Sequence, residues 1–298
     1  MERIKEAGHQ VELHQTQAEG HGMELAMMAR HGDSDVIVAI GGDGTVNEVA
    51  HALVGSKKIL GIIPNGSGNG LARELRIPMD ISKAIAVLLQ HQVATIDTCE
   101  ANGEPFFVTC GSGFDGKVST EFATSDTRGL LTYAKETLTL FRKYEPAQYH
   151  ITIDGKEFEK RAFLVAVANA SQYGNNAFIA PTASMSDGIL DVTIIEPFSQ
   201  IDAPKLLVQL FSKEITSNDN VTSLRGKEIT ITSSKPTPYH MDGEPKSAVN
   251  QLHITVIPKS LNVVCGSEKD REKNIIDYFK SLTNTFTDFA DDVKQIFK

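Results

Sequence analysis

The first 90 residues alternate short apolar runs with segments of helical spacing. Two mostly apolar runs, at 36–40 and 59–63, have the length and composition of buried parallel strands, and a short strand is also predicted at 11–13. Helices are predicted at 22–30, 46–53, 68–75 and 81–90. Strands that alternate with helices of this length are typical of a parallel sheet with helices on both faces.

Beyond residue 93 the pattern becomes mainly that of β-strands. Helices are predicted only at 115–141, with a break near 126–129, and at 203–211. Asp154-Gly155, between two alternating segments, predicts a tight hairpin. The second half is therefore predicted to be a mainly antiparallel β-sandwich. Its predicted strands are 93–97, 105–110, 149–153, 163–169, 190–195, 228–232 and 252–257.

This change of pattern predicts an α/β domain over residues 1–95, a β-sandwich domain over 96–258 and a C-terminal segment over 259–298. Apolar residues in the last segment recur at spacings of three and four, which is typical of an amphipathic helix. We weigh two interpretations: the helix packs on the chain's own body or on the second subunit of a homodimer, or it contacts a membrane surface. Acidic residues on its polar face disfavour the membrane. The apolar positions are Ile275, Ile276, Phe279, Leu282, Phe286, Phe289, Val293 and Ile296.

Composition narrows the class of protein. The 298 residues carry a formal net charge of −9, which argues against a general nucleic-acid-binding protein. Cys99, Cys110 and Cys265 are too few and scattered for a disulfide framework, which favours the reducing cytoplasm. No window reaches the roughly 18 to 20 apolar residues of a membrane span. We therefore expect a cytoplasmic protein that meets a membrane only peripherally, at the inner membrane surface.

A glycine-rich loop lies between the strand at 36–40 and the helix at 46–53. It consists of Gly41, Gly42, Asp43, Gly44 and Thr45. Glycines expose backbone N–H groups at a helix N-terminus, an arrangement that binds phosphate. Asp43 can hold Mg²⁺ directly or through water. The loop indicates an enzyme that uses a nucleotide, and the alternative is an ordinary tight turn.

A second glycine-rich loop, Gly66, Ser67, Gly68 and Asn69, again follows a strand and a proline and opens a helix. Either loop alone is compatible with a simple strand-to-helix turn. Two such loops in tandem favour phosphate binding.

Both loops carry a family resemblance. Residues 41–45 read GGDGT, which diacylglycerol kinases, sphingosine kinases and NAD kinases share, and phosphofructokinases share more loosely. Residues 64–73 resemble P-x-G-S/T-x-N-D/A/G-x-A-R, the pattern of the lipid-kinase branch. The resemblance implies an ATP- and Mg²⁺-dependent lipid kinase. It further implies a nucleotide-binding domain like that of NAD kinase and phosphofructokinase, a lipid-binding β-sandwich, and a C-terminal segment that returns to the first domain at 261–265.

The resemblance also implies roles for single residues. Glu244, in Asp242-Gly243-Glu244, matches the glutamate that acts as general base on the lipid hydroxyl, and Asp43 would organise Mg²⁺. Asp187 matches the aspartate of a structural Mg²⁺ site, with a plain turn as the alternative. Asp115 matches the neighbourhood of an acid that binds the substrate head group, with a helix N-cap as the alternative.

Two departures from the family pattern qualify these expectations. Family members begin with a strand and an N-P-x-S-G loop, whereas this sequence starts at what resembles the following helix, so we expect that segment to lie upstream of Met1 or the kinase to be impaired. Gly70 stands where the diacylglycerol branch usually has Asp, which admits a sphingoid or ceramide-type alcohol as acceptor. The alternative functions are an NAD kinase-like enzyme and a catalytically impaired lipid- or nucleotide-binding remnant.

Overall fold

The computed structural model describes residues 1–124, 140–141, 143–199 and 201–269. Seven α-helices lie in these residues, and we number them in chain order. They are Glu2–Glu6 (α1), His21–His31 (α2), Asp43–Leu53 (α3), Gly70–Glu74 (α4), Ile81–Gln90 (α5), Phe114–Thr124 (α6) and Ala203–Ser212 (α7).

The same residues contain twelve β-strands, also numbered in chain order. They are Val36–Gly41 (β1), Ile59–Pro64 (β2), Val93–Ala101 (β3), Glu104–Phe106 (β4), Thr109–Gly113 (β5), Ala147–Ile153 (β6), Lys156–Ala162 (β7), Leu164–Ala168 (β8), Leu190–Ile195 (β9), Val221–Gly226 (β10), Glu228–Met241 (β11) and Glu244–Val264 (β12).

The sheet changes from parallel to antiparallel along its strand order. The main path runs β1-β2-β12-β11-β5-β8-β9-β10, with β3 and β4 branching from β12, and β6 and β7 from β11. Strand β2 pairs in parallel with β1 and with the end of β12, whereas the pairs beyond are antiparallel. A parallel start with helices and an antiparallel remainder confirm the predicted α/β-plus-β fold class.

Strand β12 joins the two parts of the molecule. Its first half pairs with β11, its second half pairs with β3, and Asn262 and Val263 also pair with β2. Leu261 and Val263 are buried in the same apolar cluster as the helices of the first part. Strand β3 crosses residue 95 and β12 crosses residue 258 without a break, and the domain boundaries proposed at these residues stay predictions.

Three apolar clusters form the core. The first packs α3, α4 and α5 on β1 and β2, and the second lies between strands of the antiparallel part. The third is aromatic and gathers Phe114 of α6, Phe163 and Tyr144. It lies directly beside the first turn of α6, so apolar side chains border Asp115.

Several local predictions were wrong. The strand predicted at 11–13 is irregular chain, because nothing pairs with it in the described residues. The strand predicted at 105–110 is broken into β4 and β5, because the N–H groups of Phe107 and Val108 donate to the carboxylate of Asp242 rather than to a neighbouring strand. Strand β10 was not predicted, and β7, a charged edge strand, was implied only as the second strand of the hairpin at Asp154-Gly155.

The hairpin at Asp154-Gly155 is confirmed. It joins β6 to β7 with both turn residues at positive φ, the geometry of a type I′ turn. The predicted amphipathic helix over 275–296 and most of the predicted helix beyond residue 124 lie outside the described residues.

Candidate active site

The first glycine loop connects β1 to α3, and its glycines are required by close approaches. A methyl group on Gly41 would lie 2.7 Å from Cβ of Thr45, so the threonine side chain folds over the end of β1. Gly42 precedes α3, and Asp43, Gly44 and Thr45 form its first turn, so the helix begins earlier than predicted. The N-terminus of an eleven-residue helix therefore opens at this loop.

The second loop packs against the first. A methyl group on Gly66 would lie 2.5 Å from Cα of Gly42, so only glycine permits the contact. Asn69 closes the loop from within: its Oδ1 accepts from N–H of Gly66 at 3.1 Å and its Nδ2 donates to the Gly66 carbonyl at 2.6 Å. Asn69 is buried and Ser67 is exposed. Asn69 therefore shapes the loop, while Ser67 faces solvent.

Asp43 bonds the two loops together. Its Oδ2 accepts from N–H of Asn69 at 2.8 Å and its Oδ1 from N–H of Gly70 at 2.7 Å. A methyl group on Gly68 would lie 2.6 Å from Oδ2, so this glycine makes room for the carboxylate. Each carboxylate oxygen can accept a further bond, so these contacts leave acceptor capacity on Asp43.

Glu244 is presented by a tight turn at the start of β12. Asp242 and Gly243 form the turn, both at positive φ, and Met241 pairs with Glu244 across it. The Asp242 carboxylate accepts N–H bonds from Phe107, Val108 and Thr109 at 2.7 to 3.0 Å. Asp242 thus fixes the turn, which leaves Glu244 available for another role.

The turn brings Glu244 to the first glycine loop. A methyl group on Gly44 would lie 3.5 Å from Oε1 of Glu244, which places the carboxylate at the N-terminus of α3. Partial burial raises the pKa of Glu244; Lys246 opposes this rise, and the nearby acids Glu19, Glu48 and Asp43 add to it. A carboxylate with a raised pKa is a better proton acceptor for an alcohol than an ordinary one.

Asp115 lies in the first turn of α6, next to a buried histidine and a tyrosine. Its Oδ2 accepts from the Tyr173 hydroxyl at 2.5 Å and lies 3.4 Å from Nε2 of His240. Gly111 makes room for the same oxygen, since a methyl group there would collide with it. A carboxylate has a second oxygen that can bind a substrate hydroxyl.

Asp187 lies apart from these groups, near Arg225. Its Oδ2 pairs with Nη2 of Arg225, and its Oδ1 accepts from N–H of Ile189 at 3.2 Å. Across the residues that the structure describes, no three His, Cys, Asp or Glu side chains group in a way that could hold a metal ion. A Mg²⁺ site at Asp187 stays a prediction.

Sequence reasoning missed His240, Tyr173 and Glu48. Glu48 accepts N–H bonds from Gly20 and Gly22, both at 2.8 Å, and so caps α2 beside the first loop. The sequence signal for Glu48 was its position shortly after the GGDGT motif. A buried histidine in a strand and a tyrosine in a loop carry no sequence signal of their contact with Asp115, because that contact is made across the fold.

Two family profiles together match most of the chain. Residues 1–101 match the diacylglycerol kinase catalytic domain, and residues 108–265, more than half of the chain, match the YegS C-terminal NAD kinase beta sandwich-like domain. The "probable lipid kinase YegS-like" protein of Chromohalobacter salexigens is 30% identical over 82% of this chain and 80% of its own length. The chain belongs to the YegS/diacylglycerol kinase family of lipid kinases.

Two further proteins are similar in sequence to this lipid kinase. The diacylglycerol kinase of Bacillus subtilis is 26% identical over 87% of this chain and 89% of its own length. An uncharacterized protein of Synechocystis sp. is 31% identical over 80% of this chain, which spans only 56% of that longer protein.

Solved structures share the fold. A diacylglycerol kinase from Bacillus anthracis superposes with a TM-score of 0.65 at 22% identity, over 85% of this lipid kinase and 84% of that chain. An NAD kinase from Archaeoglobus fulgidus, solved in complex with ATP, superposes with a TM-score of 0.52 at 14% identity, over 94% of both chains. No helix in the described part of the lipid kinase is long and apolar enough to cross a membrane.

Proposed function

We propose that the protein transfers the γ-phosphate of ATP to the hydroxyl of a lipid, either diacylglycerol or a sphingoid or ceramide-type alcohol. The observation that carries the proposal is the position of Glu244. Its carboxylate lies at the N-terminus of α3, where the two glycine loops meet, and its pKa is raised. A proton acceptor beside a phosphate-binding loop is what phosphoryl transfer to an alcohol needs.

The proposed phosphate contacts come from both loops. Gly41, Gly42, Gly44 and Thr45 open onto the N-terminus of α3, whose N–H groups and dipole favour bound phosphate. In the second loop, the N–H groups of Gly66 and Asn69 already donate to side chains, so we assign the direct phosphate contacts to the segment of Ser67 and Gly68.

We assign Mg²⁺ to Asp43. The donor set fits this ion, since Asp43 is a hard oxygen ligand with acceptor capacity left, and Mg²⁺ in kinases is usually held by one or two carboxylates and the substrate phosphates. When bound, the ion would neutralise charge on the phosphates.

On this proposal Glu244 takes the proton of the lipid hydroxyl. The hydroxyl oxygen forms a bond to the γ-phosphorus, and the bond between that phosphorus and ADP breaks. Asp115 binds a polar group of the lipid head, and the aromatic cluster around Phe114 borders the apolar part. Head-group recognition would then lie on α6 and proton transfer at the start of β12.

The test is a comparison of acceptors with γ-labelled ATP and Mg²⁺. We expect label in diacylglycerol, or in a sphingoid base or ceramide, presented in phosphatidylglycerol vesicles, and none in NAD⁺. Label in NAD⁺ alone would contradict the proposal in favour of an NAD kinase. Thermal stabilisation by Mg·ATP without transfer to any lipid would instead indicate a binding remnant.

A further inference from the structure

His240 is a buried residue of β11 that contacts both sides of the proposed site. Only 3% of its surface is exposed. Its Nδ1 accepts from N–H of Gly243 at 3.2 Å, and its Nε2 lies 3.4 Å from Oδ2 of Asp115. Gly243 directly precedes Glu244, so one imidazole ring contacts both the turn that presents the proposed base and the proposed head-group residue.

The hydrogen bond from Gly243 determines the tautomer of this ring. A backbone N–H can only donate, so Nδ1 must be the unprotonated nitrogen and accept. The ring proton is then on Nε2, which faces Asp115. The two nitrogens thus have distinct roles, since Nδ1 holds the turn and Nε2 faces the carboxylate.

Tyr173 extends this chain of contacts to the second glycine loop. Its hydroxyl donates to the same Oδ2 of Asp115 at 2.5 Å. Its carbonyl lies against the loop, since a methyl group on Gly70 would be 2.8 Å from that oxygen. Contacts therefore run from the second loop through Tyr173, Asp115 and His240 to the turn before Glu244.

We propose that His240 is a positioning residue that sets the Glu244 turn relative to Asp115, with Nδ1 serving phosphoryl transfer and Nε2 serving lipid binding. The inference rests on the proposed function, because it takes Glu244 as the base and Asp115 as the head-group contact. On this proposal His240 acts through the Glu244 turn and Asp115, not on the substrate itself.

Two substitutions separate the roles of the two nitrogens. In His240→Asn the side-chain oxygen lies near the position of Nδ1 and can still accept from Gly243, while the donor toward Asp115 is lost. In His240→Gln the amide reaches the position of Nε2 and can donate to Asp115, while the acceptor for Gly243 is lost. Each variant keeps one contact, so thermal unfolding should show two folded proteins of similar stability.

The measurement is kcat and lipid KM for wild type and both variants with the acceptor lipid in vesicles. We expect His240→Asn to raise KM for the lipid about fivefold to tenfold with kcat nearly unchanged, because the 3.4 Å contact of Nε2 with Asp115 is lost. We expect His240→Gln to lower kcat by a similar factor with KM nearly unchanged, because the hydrogen bond from Gly243 is lost. Tyr173→Phe removes the hydroxyl that donates to Asp115 and should resemble His240→Asn.

Three results would overturn the inference while leaving the proposed function intact. The two histidine variants could change both constants equally, neither variant could change either constant, or His240→Asn could lower kcat while His240→Gln raises KM. A wild-type protein that phosphorylates no lipid would overturn the proposed function, and with it this inference.

Discussion

Asp242 and Glu244 are separated by one glycine, but their carboxyl groups lie in different surroundings. Asp242 is partly exposed as a residue, yet its carboxyl group is enclosed and accepts three backbone N–H bonds. Burial raises the pKa of Asp242 to about 6, against the opposing effect of those N–H bonds. Glu244 faces the glycine loop. Of the two acids, we therefore assign the structural role to Asp242 and the chemical role to Glu244.

The raised pKa makes Asp242 a source of pH-dependent stability. A group whose pKa is higher in the folded state stabilises the fold when it is protonated, and that contribution is lost as pH rises from about 4 through about 6. The quantity of interest is the free energy of unfolding of wild type minus that of Asp242→Asn. We expect this difference to fall by about 1 to 3 kcal/mol over this pH window.

The measurement is denaturant unfolding of both proteins between pH 4 and pH 7. Asp242→Asn serves as the control. Its amide does not titrate and all other groups are the same in both proteins, so the difference between them reports on Asp242 alone. A difference that is constant or grows with pH would contradict the assignment.

At the scale of elements, Asp43 belongs to α3 but serves the loop before α4. Its carboxylate accepts N–H bonds from Asn69 and Gly70, so it couples two strand-to-helix connections that are 26 residues apart in sequence. A change at Asp43 should therefore disturb the position of both glycine loops.

Asp43→Asn would place an amide N–H₂ against one of these two donors. We expect a loss of about 1 to 3 kcal/mol in the free energy of unfolding, together with loss of thermal stabilisation by Mg·ATP. Asp80→Ala is the matched control: Asp80 caps α5 by accepting from N–H of Lys83, and its loss should cost about 1 kcal/mol without changing the response to Mg·ATP. If Mg·ATP stabilises Asp43→Asn against heat as much as it stabilises wild type, the proposed role of Asp43 in Mg²⁺ binding is contradicted.

The elements also show what the sequence could predict. Helix α5 and strand β9 have the predicted bounds. Each contains a strong apolar pattern and has a clear cap or turn at its ends. Strands β4 and β5 were predicted as one, because the carboxylate that separates them comes from residue 242. Local patterns predict elements; breaks imposed by distant side chains are not visible in them.

At the scale of the whole molecule, long-range pairing brings the proposed site together. The glycine loops come from residues 41–45 and 66–69, whereas Glu244 begins the strand that ends beside β2. The motifs name the residues to which we assign the chemistry. The contact of Gly44 with Glu244, and that of Asp115 with His240 and Tyr173, depend on the pairing of β11 with β5 and β12, which no spacing in the sequence encodes.

The most direct test of the account is Glu244→Gln, measured as the initial rate of γ-phosphate transfer from labelled ATP to the acceptor lipid in vesicles. The variant keeps the shape of the side chain and removes the proton acceptor, so we expect a rate about 10² to 10⁴ times lower, with Mg·ATP binding and thermal unfolding unchanged. A Glu244→Gln variant that transfers phosphate at the wild-type rate would contradict the assignment of Glu244 as the base.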